Sequence, residues 1–106
     1  MTTSSQTNCV PAEQIAATRR AFPGVRLGYE LELQAEDPWA GLAAICAALQ
    51  AAGLRLGLMR CTAEGAITLR VEETTAPDLE GLSRRLAALG QIELRRWITV
   101  LGAGAA

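Results

Sequence analysis

Apolar and polar positions alternate along four stretches of the chain and take helical spacing along two more. In 27–33, Leu27, Tyr29, Leu31 and Leu33 fall on one side, and Gly28, Glu30 and Glu32 on the other. This is the period-two pattern of a half-buried strand. Leu54, Leu56 and Leu58 repeat it in 54–61, as do Ile67, Leu69 and Val71 in 66–72. In 91–100, Ile92, Leu94, Ile98 and Val100 are in phase, interrupted by Arg96, with Glu93, Arg95, Trp97 and Thr99 opposite. Leu42, Ile45, Cys46 and Leu49 mark one stripe of a helix over 37–53, and Leu79, Leu82, Leu86 and Leu89 mark another over 77–90. Asp37 is a favourable N-cap with Pro38 at the first helical position, and Gly53 suits the residue past the helix end. Gly90 is read as the stop of the second helix.

The order strand, helix, strand, strand, helix, strand over 27–101 predicts an α+β domain of the ferredoxin-like, split βαβ type. Its antiparallel four-stranded sheet carries two helices on one face. The first and third strands are expected at the centre, with the fourth and second at the edges. Glu30 and Glu32 then lie on the open face between Thr68 and Arg70 on one side and Arg95 on the other. Such cross-strand pairs contribute only about 0.2–1 kcal/mol each. The open face reads either as a solvated, charge-balanced surface or as an interface with Glu30, Met59 and Trp97 as candidate contacts. A sheet of this kind that reads RNA stacks bases on aromatic residues of its central strands. Here those positions hold Glu30, Glu32, Thr68 and Arg70, which argues against RNA recognition.

Residues 1–26 read as a flexible leader, polar and aperiodic over 1–8. Within it, Ile15, Arg19 and Phe22 have helical spacing, so a short helix over 11–22 is expected to pack on the domain, on a partner or on nothing. Pro23-Gly24 ends it. Residues 102–106 read as a loose tail.

The 106 residues suffice for one domain and one core. Half are hydrophobic but only four are aromatic, so Ala and Leu must fill that core. Modest monomer stability follows, and a homodimer is expected to add burial. A net charge of −1 without a basic run disfavours nucleic acid and anionic membrane surfaces as partners. No apolar run approaches the roughly 18–20 residues that span a bilayer. Three cysteines, an odd count without a signal peptide, suit a cytoplasmic location. They form no C-x-x-C pair, and the chain has neither histidine nor lysine. No metal site, no cofactor and no catalytic residue are therefore expected. Cys46 is read as core, and Cys9 as a leader thiol open to oxidation. Glu36-Asp37 is explained by the helix start, and Glu72-Glu73 is read as solvated.

The segment EDPWAGLAAICAALQAAGLRL (36–56) resembles the ACT domain, a regulatory module of the same βαββαβ topology. Asp37 and Gly41 precede Leu42, and Gly53 follows that leucine by eleven residues, just before the second strand. In size and layout the chain is similar to small regulatory subunits of acetolactate synthase. The resemblance implies a non-catalytic domain that pairs side by side and modulates a partner enzyme, with a larger catalytic subunit as a possible partner. It also implies an amino acid or other small carboxylate effector, bound where the first loop of one subunit meets the second strand of the other. On that likeness Ala40, Gly41 and Leu42 offer backbone amides to a carboxylate. Asp37 accepts from an amino group, and Trp39 walls the pocket or covers the helix end. The family glycine stands one place earlier, at Ala40. Arg55 occupies a position where amino-acid-binding members often carry Asn or Asp, and would attract a carboxylate or phosphate instead. Three other readings stay open. The 36–42 segment can be a capped turn and nothing more, the domain can be a constitutive docking subunit using its open sheet face, or it can be an enzyme using Glu36, Asp37 or Cys61.

Overall fold

A computed structural model describes residues 10–74 and 77–102. Residues 1–8, Cys9 and 103–106, where the polar leader, the exposed thiol and most of the tail are expected, lie outside them. The elements run α1 (Ala12–Ala21), β1 (Leu27–Ala35), α2 (Pro38–Ala51), β2 (Leu54–Cys61), β3 (Ala66–Glu73), α3 (Leu79–Ala87) and β4 (Ile92–Leu101). The strands form one sheet in the order β2-β3-β1-β4, with every neighbour antiparallel. This is the expected ferredoxin-like α+β architecture, with α1 as a third helix.

The central strands supply the core because their alternation is strict. Leu27, Tyr29, Leu31 and Leu33 of β1 and Ile67, Leu69 and Val71 of β3 are buried, and so are Ile45 and Leu49 of α2 and Leu82 and Leu86 of α3. Burial of a large side chain of this kind contributes about 1.5–3 kcal/mol. The short helix predicted over 11–22 packs on the domain: Ile15 is buried, and Arg19 bonds Glu73 at the end of β3.

Helix α2 begins and ends as its sequence requires. Asp37 Oδ1 accepts from the N–H groups of Trp39 (3.1 Å) and Ala40 (3.5 Å), and Gly53 closes the helix with φ +77°. Helix α3 is capped by Asp78, which accepts from Gly81 N–H at 2.9 Å. It stops at Ala87, short of Gly90, because the Ala88 and Leu89 N–H groups close the last turn on Arg84, Arg85 and Leu86 carbonyls.

Both edge strands slip by one residue, and this corrects the faces read from alternation. The pairing of β2 with β3 shifts between Leu56 and Leu58, at Gly57. The pairing of β1 with β4 shifts between Glu32 and Leu33, where Arg95 is the extra residue. A bulge of this kind moves every later side chain to the other face. Met59 and Cys61 therefore share the helix-covered face with Leu69 and Ile67, and Leu58 joins the open face opposite Arg70. Trp97 likewise turns inward opposite Leu31 and packs on Tyr29, with ring centroids 4.9 Å apart. Ile98 and Val100 take its place on the open face, opposite Glu30 and Gly28. The partner of Glu32 is Arg96, not Arg95, which bonds Glu93 instead.

Candidate functional site

The start of α2 is chemically closed. Pro38 has no N–H, the Trp39 and Ala40 amides bond the Asp37 carboxylate, and the Gly41 amide bonds the Asp37 carbonyl at 2.8 Å. The orphan donors that would attract an anion are thus already satisfied by the chain itself. A ligand carboxylate at these amides would have to displace the side chain of Asp37. Gly41 has its own structural reason: a Cβ there would lie 2.6 Å from Ala35 Cβ. Leu42 is half-buried against the core, and Trp39 is 83% exposed and does not line the groove beside this turn. That groove, of about 350 Å³, is bounded by Asp37, Ala40, Gly41 and Ala44, by Leu89 of the α3–β4 connection and by Ile92 at the start of β4.

Arg55 is not brought to that groove. It is the second residue of β2, where its guanidinium bonds Glu72 on the neighbouring strand. It also lines a second cleft, about 500 Å³ in volume, with Arg19, Arg26 and Glu73. Asp37 lines the first of these two cavities and Arg55 the second.

Alternation along β3 places Glu73 on the core face with Ile67, Leu69 and Val71, so its reading as a solvated residue is overturned. It is the buried charged side chain of the described core. Its Oε1 accepts from Arg19 Nη1 at 2.9 Å and its Oε2 from Arg19 Nη2 at 2.6 Å and from the Tyr29 hydroxyl. Burial alone would raise the Glu73 carboxyl. The two bonds from Arg19, the bond from Tyr29 and the guanidinium charge outweigh that and hold it below the usual range. The Tyr29 phenol is pushed above its ordinary value, first by burial and then by its bond to the carboxylate. The network ties α1 to the sheet.

The open sheet face is laced by charge pairs: Arg70 with Glu30 at 3.0 Å, Arg96 with Glu32 at 3.7 Å, and Arg55 with Glu72. Of the candidate interface residues only Glu30 lies there, since Met59 and Trp97 have turned to the helix side. Met59 nevertheless stays accessible. All residues from Arg55 to Arg60 are exposed, and Leu56, Leu58 and Met59 are among the most exposed large apolar side chains of the chain. Leu56 and Met59 face the α2 side, where Met59 Sδ lies 3.9 Å from Cys46 Sγ. Cys46 is accordingly half-buried at this edge rather than in the core. A shallow, mostly apolar groove runs along it between Cys46, Leu49, Leu54 and Leu56.

Among the described residues, no group of three or more Cys, Asp or Glu could hold a metal ion, and no helix is long and apolar enough to cross a membrane. Compared with models of protein families, with characterised proteins and with solved structures, the chain matches none.

Proposed function

We propose that this chain is a non-catalytic assembly module that pairs with a second copy along β2, joining two four-stranded sheets into one. The observation that carries this reading is the exposed β2 edge, where Leu56 and Met59 line an apolar strip against α2. An edge strand offers a row of unpaired backbone groups, and antiparallel pairing of two identical edges satisfies them across a two-fold axis. The same contact covers the strip of Leu56, Met59 and Cys46. Both edges carry two exposed arginines, but Arg55 and Arg60 of β2 flank the apolar run Leu56–Met59, whereas Arg95 and Arg96 of β4 stand side by side within the strand, where charge opposes pairing. A cytoplasmic setting, where Cys46 stays reduced, fits a thiol beside such a contact.

Sedimentation equilibrium of the full chain tests the pairing. A mass of twice 11.2 kDa is expected at micromolar concentration. Leu56→Glu and Met59→Glu are expected to shift it to 11.2 kDa without unfolding, because both side chains are already exposed. A wild-type chain of 11.2 kDa throughout would overturn the reading.

A second reading, in which the pair binds a small amino acid or carboxylate effector and so modulates a larger catalytic subunit, is favoured by the groove beside Asp37. In it the effector sits against Ala44, Leu89 and Ile92, and its ammonium group donates to Asp37, leaving the capped amides alone. A thermal-shift screen against amino acids and small carboxylates tests it. A ligand at 100 times its Kd stabilises by about 2.7 kcal/mol.

A further inference from the structure

We propose a binding site for a small oxyanion, a carboxylate or phosphate, in the cleft between the end of α1, the 22–26 turn and the start of β2. Arg19, Arg26 and Arg55 line this cleft with Glu73, Gly24 and Thr74. The argument is one of charge and of donors left over. Three guanidinium groups meet one lining carboxylate, and that carboxylate is fully engaged: both Glu73 oxygens accept from Arg19, and one also accepts from Tyr29. Arg55 is tethered to Glu72 through Nη2 alone, with its side chain 65% exposed. Arg26 makes no ion pair among the described residues. Counting Glu72 with the lining still leaves three cations against two carboxylates, a surplus that one anion would neutralise.

The geometry is held by the backbone. Val25 N–H bonds the Phe22 carbonyl at 3.2 Å, and the Arg26 carbonyl accepts from Gly102 N–H at 2.9 Å. Arg26 is therefore fixed at its Cα while its head is unspent. Gly24 takes φ +86° and has open space where a side chain would stand, which keeps the mouth of the cleft clear. Each guanidinium presents five N–H donors in a planar fork that matches two oxygens of a carboxylate or phosphate. The volume of about 500 Å³ lies within the range of small-molecule sites and exceeds the needs of a bare ion. An anion held by Arg26 and Arg55 would bridge the α1 side of the domain to the first residues of β2. The site is complete in one chain and does not depend on pairing along β2.

The test is a titration of the full chain with inorganic phosphate and, separately, with succinate at constant ionic strength, followed by backbone amide NMR. Saturable shifts with at least one of the two probes are expected, concentrated at residues 19–26, Arg55 and Thr74. Arg26→Gln is expected to weaken that binding about tenfold or more, the loss typical of a bond to a charged group. Arg84→Gln, an exposed residue of α3, should leave it unchanged. Three results would each overturn the proposal: no saturation with either probe, shifts reproduced by chloride at the same ionic strength, or binding unaltered in Arg26→Gln.

Discussion

Replacing Gly41 by alanine separates two explanations of the α2 start by the sign of its effect. If the glycine is there to let a ligand approach the backbone, Gly41→Ala should stabilise the protein. An interior helical position favours alanine over glycine by about 1 kcal/mol. The structure gives the opposite answer. The new Cβ would lie 2.6 Å from Ala35 Cβ, where unstrained carbon contacts fall near about 3.5–4 Å. Both methyls are attached directly to backbone, so no rotamer change relieves the clash; α2 and the end of β1 must part by about 1 Å. Overpacking of this kind costs about 1–3 kcal/mol. With a rigid contact the upper half of that range applies, and the helix preference offsets only part of it. A net loss of about 1–2 kcal/mol is expected. Urea unfolding followed by circular dichroism would read it as a lowered midpoint at constant slope. Adding Ala35→Gly to Gly41→Ala removes the clashing methyl and should recover at least half of the loss, the positive coupling expected of residues in contact. A Gly41→Ala variant as stable as wild type, or more so, would refute the packing explanation and return Gly41 to the ligand reading.

Acid should act through Glu73. Its carboxyl titrates lower folded than unfolded, so its stabilising contribution is complete above the unfolded value of about 4.3 and fades as pH falls through the folded one. Glu73→Gln should flatten that part of the stability–pH curve measured by urea unfolding. Tyr29 has the reverse sign: its folded value is raised, so stability should fall as pH rises past about 10, where the unfolded phenol ionises. Tyr29→Phe should remove that decline. Arg19→Ala leaves the buried carboxylate with Tyr29 alone and should cost about 1–3 kcal/mol, with proteolysis inside α1 faster than in wild type. Asp37→Ala should cost about 1 kcal/mol through the lost cap, whereas Trp39→Ala, at an 83% exposed position, should stay within about 0.5 kcal/mol of wild type by the same assay.

The parts of the fold that were legible in the sequence are those where one residue pattern decides the structure. Strict alternation in β1 and β3 set the central strands and the core, and Asp37-Pro38 and Gly53 bounded α2. The edges were harder because a bulge inverts phase without interrupting the apolar pattern. Leu54, Leu56 and Leu58 look continuous, yet Gly57 slips the register and hands the core side to Met59. An isolated glycine inside a strand is the signal that marks such a site. In β4 the adjacent Arg95 and Arg96 mark the same event, since no single alternation accommodates both Leu94 and Trp97 on the core side. Glu73 was legible by phase with Val71 and was obscured by the turn that follows it. Its partner Arg19 could not be paired with it from sequence, because 54 residues separate them. At the α2 start, the spacing of Asp37, Gly41 and Leu42 fits a ligand loop and a capped, tightly packed turn equally well. Only the hydrogen bonds show that the amides are taken.

Pairing along β2 is tested most directly by amide hydrogen exchange of the full chain over a concentration series. The β2 amides that do not bond β3 should become more protected as concentration rises through the association range, while those of β4 and the slow-exchanging core of β1 stay constant. Protection of β2 that does not change with concentration, or a rise confined to β4, would contradict the proposed edge.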